Sequence, residues 1–182
     1  MARGKVSDSI AWVERNNIQD KDTYQNVEIL GKNLNEYTEN ELSDLSNKGH
    51  ITLRSFTDFE GIYFTDSDTA DESGSDLSFI ETNLIKHKIE RNLRVVYLPD
   101  LSSPSLIKKD GTLAPAMIAY FKAKGENILQ SLENNLEISQ YQINITPTQN
   151  LLSTGKLIID VIIIPMGVTR KIKINLAFAT NF

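Results

Sequence analysis

The spacing of hydrophobic positions switches between helical and strand-like periods along the chain, and each switch marks an element. Thr38, followed three residues on by Glu41 and then by Leu42 and Leu45, has the form of a capping box opening a short helix over about 38–48, with Gly49 closing it. Ile51, Leu53 and Phe56 then alternate, the pattern breaks over Asp58 to Gly61, and Ile62-Tyr63-Phe64 resumes it, which predicts a β-hairpin. From about Ser78 to Leu98, Ile80, Leu84, Ile85, Ile89, Leu93 and Val96 recur at helical spacing, with Lys86, Lys88, Glu90 and Arg94 mostly on the other side. Asp76 or Ser78 is the expected cap of this helix. Pro99 and Pro104 bracket an extended connection that turns at Asp110-Gly111. A second amphipathic run begins near Ala114-Pro115 and carries Met117, Ile118, Phe121, Ile128, Leu129, Leu132 and Leu136. Pro115 suits the first turn, and Gly125 is the point at which this helix should weaken.

The last third of the chain is strand-like. Gln142 to Thr146 alternates and stops at Pro147. Leu157 to Ile164 is β-branched and apolar on both faces except at Asp160, the pattern of a central strand. Lys171 to Phe178 alternates with period two, so a strand with one buried face is expected, free to pair within the domain or with another chain. Residues 5–37 are polar and rich in Asn, with one apolar cluster at Ile10 to Val13 that holds Trp12; residues 16–28 read as a linker or long loop. Trp12 has two readings, an anchor closing its own domain or an anchor into a neighbouring subunit. The resulting fold class is α+β, a mixed or antiparallel sheet packed against two main helices.

Composition narrows the chemistry. The chain has 182 residues with 40% hydrophobic and 24% charged positions, enough for one domain with an ordinary core. It has no Cys and only His50 and His87 as imidazoles, which removes disulfides, thiolate nucleophiles and Cys- or His-based metal sites. A net charge of −5 argues against a nucleic-acid surface. No stretch is apolar and long enough to span a bilayer, and Ser7-Asp8-Ser9 stands where the core of a secretory signal would lie, so the expectation is a protein made in the cytoplasm with no membrane partner. Gly-rich phosphate loops and the Gly-x-Ser-x-Gly elbow are absent, and no cofactor is indicated. The acidic stretch Asp66 to Asp76 invites a calcium reading, but the fifth, sixth and twelfth positions of an ion loop opening at Asp66 would be Ala70, Asp71 and Leu77. A solvated loop is expected instead, and the chain is read as a non-enzyme with no catalytic, cofactor-binding or metal residues.

One ordered set of segments says more. Gly49-His50-Ile51, Gly61 to Ser67, Ile80-Glu81-Thr82-Asn83 leading into a basic helix with Lys88 and Arg91, and Leu98 to Pro104 are followed by Gly111-Thr112-Leu113, Ala119-Tyr120-Phe121, Ile145 to Asn150 and Ile164 to Val168. Together, over roughly residues 38–180, they resemble the C-terminal region of contractile phage tail sheath-like proteins, of the type carried by prophages of Bacteroidetes. The resemblance implies a virion or injection-apparatus tail protein assembled in the bacterial host cytoplasm, self-associating into a helical sheath around a tail tube protein. It further implies extended terminal arms that add strands to neighbouring subunits. The domains so implied are an N-terminal arm and linker at 1–37, an α+β core at 38–169 and a C-terminal arm strand at 170–182. The implied subunit-interface residues are Trp12, Ile172, Ile174, Leu176 and Phe178. Lys171 and Lys173 would guard the arm against indiscriminate pairing. Sheath proteins are usually longer, with an outer domain before this region, so the chain corresponds to the conserved C-terminal part. Two alternatives stand beside this reading: another tail or baseplate structural protein sharing the domain, such as a terminator, and a small ligand-binding or enzyme domain using the Asp66–Asp76 loop.

Overall fold

The computed structural model describes residues 4–18, 27–29, 31–71 and 74–178. In chain order the elements are β1 (Glu28–Ile29), β2 (Lys32–Asn33), a 3-10 turn at Leu34–Glu36, α1 (Glu39–Asn47), β3 (Leu53–Phe56), β4 (Phe59–Phe64), α2 (Ile80–Tyr97) running into a 3-10 turn at Leu98–Asp100, α3 (Pro115–Asn134), β5 (Ile138–Asn144), α4 (Leu151–Thr154) and β6 (Asp160–Pro165). The strands form three antiparallel pairs, β1 with β2, β3 with β4 and β5 with β6. This is the α+β class expected, with small antiparallel sheets. The linker reading for 16–28 falls mainly on residues 19–26, outside the described residues.

The first helix forms as its sequence dictates. Thr38 accepts from the Glu41 amide at 3.3 Å and its own amide donates to the Glu41 carboxylate at 2.7 Å, which satisfies two of the free donors at the helix start. At the other end the Gly49 amide donates to Ser46 and the His50 amide to Leu45, and Gly49 takes the left-handed conformation (φ 79°) that this ending requires. The hairpin follows at β3 and β4, turning at Thr57-Asp58 rather than over Asp58 to Gly61, with Leu53 opposite Phe64 and Arg54 opposite Tyr63. Leu42 and Ile62 close a small core with Leu34.

The main core lies between α2, α3 and the β5–β6 pair. Ile85 and Ile89 from α2 meet Phe121, Leu129 and Leu132 from α3 and Ile138, Ile143 and Ile145 from the strand and its end. Leu129 is fully enclosed. Polar ties brace this layer: Tyr97 donates to the Phe121 carbonyl at 2.9 Å, Lys124 donates to Asp100 at 2.5 Å, and Lys88 pairs with Glu137 at the start of β5.

Four local expectations are corrected by this packing. Gly125 does not weaken α3, which is continuous; a Cβ there would lie 2.7 Å from Ile143 Cδ1 and collide with the Tyr97 hydroxyl, so glycine is the residue that lets the helix approach. The cap of α2 is Phe79, with neither Asp76 nor Ser78 in that role: the Ser78 hydroxyl donates to Ser75, and Asn83 donates from the first turn to the Leu77 carbonyl. The strand expected from Gln142 to Thr146 runs from Ile138 to Asn144, because the turn ending α3 delivers the chain straight into it. The strand expected from Leu157 begins only at Asp160, since the Gln149 side-chain amide takes both backbone groups of Ile158, at 2.7 and 2.9 Å.

Candidate functional site

The apolar run at the end of the core is half used. In β6, Val161 and Ile163 pack on the core, while Ile162 and Ile164 stand 60% and 51% exposed on the other face. The register pairs Tyr141 with Ile163 and Ile143 with Val161 on the inner face, and Gln140 with Ile164 and Gln142 with Ile162 on the outer. A central strand would have a partner on both sides; among the described residues β6 pairs only with β5. One edge of β6 and one apolar face are therefore open, the geometry that recruits a further strand.

Beyond β6 the expected strand over Lys171–Phe178 does not form among the described residues. Among them it has no strand partner, and Ile172, Ile174, Leu176 and Phe178 are 76–93% exposed. Four alternating apolar side chains on an extended segment gain nothing by facing water, so this segment carries an unmet preference for burial. The last four residues of the expected arm, 179–182, lie outside the described residues.

Trp12 lines a groove that Ile172 also lines. The segment from Val6 to Val13, expected as an arm, runs as successive turns, with the Trp12 amide donating to Ser9 at 3.2 Å and the Arg15 guanidinium stacked 4.1 Å from the indole. Farther on, the Ile18 amide donates to the Ile62 carbonyl, which fastens the segment to β4. Trp12, still 37% exposed, lines a groove of about 830 Å³ together with Phe56, Leu136, Met166 and Ile172. Of the five expected interface residues, then, Trp12 and Ile172 line one groove, and Ile174, Leu176 and Phe178 do not.

A residue that no local pattern singled out holds the base of the exposed segment. Arg170 pairs with Asp66 and with Glu81 at the start of α2, donates to Ser67 Oγ at 3.1 Å, and lies 3.4 Å over the Phe79 ring. Its side chain is 19% exposed and that of Glu81 7%. Burial disfavours the charged guanidinium and pulls its pKa below the usual arginine value. In sequence Arg170 is one of several basic residues near the C-terminus, and its partners are 89 and 104 positions away, so only the fold identifies it.

Two carboxylates of the acidic stretch are used internally. Asp68 accepts from Ser46 at 2.9 Å and Asp71 from Ser75 at 2.6 Å, and among the described residues no group of three or more His, Asp or Glu could hold a metal ion. His50 is exposed at the end of α1, and His87 is exposed on α2 with Nδ1 3.4 Å from Glu90. The outward side of α2 is basic, with Lys86, Arg91 and Arg94 exposed, in a chain of net charge −5. No helix among the described residues is long and apolar enough to cross a membrane.

The fold is shared with chains of contractile injection assemblies solved by cryo-electron microscopy. A chain of the anti-feeding prophage baseplate superposes with a TM-score of 0.64 at 18% identity, covering 85% of this chain and 44% of its own. A chain of the contracted PVC sheath complex, an extracellular contractile injection system, gives 0.64 at 14% identity over 79% of this chain and 41% of its own. The contracted anti-feeding prophage sheath gives 0.61 at 20%, covering 80% and 40%. The chain thus spans about two fifths of the length of each. Within this class of fold, residues 76–182 match the profile described as DUF2586, C-terminal domain, and residues 1–68 the DUF2586, N-terminal domain; the chain belongs to the DUF2586 family. No curated protein matches it.

Proposed function

We propose that this chain is a structural, non-enzymatic subunit of a contractile tail or related injection apparatus, which assembles into a sheath around an inner tube by exchanging strands between subunits. The observation that carries the reading is the pairing of an unmet donor with an unmet acceptor in one chain. Residues 171–178 offer an exposed segment with apolar side chains at alternate positions, and β6 offers an exposed edge beside Ile162 and Ile164. A contact of this kind joins two different surfaces, so it propagates from copy to copy and builds either rings or open filaments. In this arrangement 1–37 and 170–182 act as arms and 38–169 as the core. Ile172, Ile174, Leu176, Phe178 and Trp12 are then interface residues. The basic outward side of α2 suits an acidic tube surface. A virion-type tail assembled in the bacterial cytoplasm, in a prophage of Bacteroidetes type, is the setting that fits the sequence resemblance.

A second reading draws on the likeness to a baseplate chain: a subunit of a ring at the end of the tail. Negative-stain electron microscopy of the purified chain over a concentration series, with and without a tube protein, separates the two. Tubes or stacked rings support the sheath, single closed rings support the baseplate or terminator reading, and a strict monomer in every sample contradicts both.

A further inference from the structure

The link from the last residue of β6 to the start of the exposed segment is short: Met166 to Arg170, five residues. Connections of about two to five residues are those that close β-hairpins. Residues 171–178 could therefore fold back on the open edge of β6, the five-residue link setting Ile172 opposite Ile164 and Ile174 opposite Ile162, so that the apolar side chains of both strands would lie side by side. Among the described residues they are unpaired and the edge of β6 is free, although alternate positions of the segment are apolar. The residue that ends the link is the one held by Asp66, Ser67, Glu81 and Phe79, contacts that draw it to the start of α2.

We infer that Arg170 is a clasp that prevents self-pairing: by fixing the end of the five-residue link at Asp66 and Glu81, it keeps the chain from closing its own sheet and holds strand and edge available to a second copy. The cradle suits this task better than a lone ion pair. Guanidinium can meet two carboxylates from different elements at once while its face stacks on the Phe79 ring, so its direction as well as its position is set. The Glu81 carboxylate is buried, and among the described residues its second oxygen has no hydrogen-bond partner, so releasing Arg170 would leave a buried charge uncompensated. That cost opposes release even though cis pairing would bring four apolar side chains beside Ile162 and Ile164. Arg170 is thus a positioning residue, which acts on assembly through the arm it restrains.

The purpose of the clasp rests on the strand-exchange reading, but its existence is tested within one chain. The absence of cysteine makes spin labelling clean: a label at Ile162→Cys on β6 and another at Leu176→Cys on the arm, diluted with excess unlabelled protein so that only distances within a chain contribute. The unsubstituted clasp is expected to give no population near hairpin spacing, and Arg170→Lys, which keeps the charge without the fork or the stacking, a smaller one than Arg170→Gln. Arg170→Gln, and independently Asp66→Asn combined with Glu81→Gln, are expected to gain a population below about 15 Å, the separation of adjacent strands plus label length. Circular dichroism melting of each variant identifies which are folded and scored. A short population already present with Arg170 intact, or none in either folded clasp variant whether the distribution is unchanged or merely broader, overturns the inference. Light scattering of the same samples reports strand exchange separately: a short population in the variants with no assembly by the intact chain would retain the clasp and remove the exchange.

Discussion

Two stretches of this chain carry nearly the same message and meet opposite fates. Leu157 to Ile164, apolar on both faces except at Asp160, and Lys171 to Phe178, apolar at alternate positions, both ask for burial, yet part of the first is paired with β5 and packed on α2 and α3, while the second is exposed along its whole described length. The difference lies in the neighbours that each has within the chain. Alternation states that a face must be covered; it does not state what covers it. Even the first stretch is only half satisfied, with Ile162 and Ile164 facing outward. The comparison teaches that one segment is packed in the folded monomer while the other is, on the proposed reading, left for contacts between copies, and substitutions should separate the two roles.

The largest effects on the monomer are expected in the packed half. Leu129→Ala removes an enclosed side chain at the centre of the α2–α3–β5 layer and should cost about 3–5 kcal/mol, read as a fall in the urea midpoint. Gly125→Ala places a methyl against Ile143 and Tyr97 and should cost about 1–3 kcal/mol despite alanine's better helix propensity; a more stable variant would show that the close approach of α3 is misread.

A smaller effect of opposite sign is expected where α3 ends. The Leu136 amide donates to Glu133 and the Glu137 amide to Leu132, the same ending that closes α1, but with leucine in the left-handed conformation (φ 55°) where α1 has Gly49. Leu136 is mostly exposed, so Leu136→Gly should stabilise the domain by up to about 1 kcal/mol by calorimetry. At the start of α1, Thr38→Ala should cost about 1 kcal/mol. The Thr38 amide, then its hydroxyl, then Lys32 hold the Glu41 carboxyl below its ordinary value. The contribution of this carboxylate is therefore present above its unfolded pKa and lost as pH falls through the lower folded one. The stability difference between Thr38→Ala and the parent should narrow in that acid range.

The smallest effect on the monomer is expected in the exposed half. Ile174→Ser and Leu176→Ser should move the melting midpoint within the roughly 0.5 kcal/mol typical of surface positions, while assembly followed by light scattering is lost. A large loss of monomer stability would mean that the segment is packed within its own chain, which would erase the contrast between the two stretches.

Much of this was legible in sequence, for physical reasons that also define where legibility stops. The capping box at Thr38 and Glu41, the Gly49 ending and the period of α2 are local signals, and they gave the elements with boundaries displaced by one or two residues. The β1–β2 pair is two residues per strand and offers no period to detect. Phe79 as the cap of α2 leaves no side-chain signature, and the late start of β6 depends on Gln149, whose role becomes visible only when Ile158 is placed beside it. The exposed alternation of 172–178 was readable as a strand seeking a partner, but the clasp that holds its base joins Arg170 to Asp66 and Glu81 across most of the chain. Gly125 shows the reverse error, since propensity alone marks a weak point where packing requires a close approach.

The most direct test of the central claim compares the full chain with one ending at Arg170, which keeps the clasp and removes only the exposed strand. Both are followed by size-exclusion light scattering over a concentration series and by circular dichroism melting. The account predicts matching spectra and melting midpoints with loss of assembly in the shorter chain. Equal assembly by the shorter chain, or a shorter chain that no longer melts as a folded domain, would contradict it.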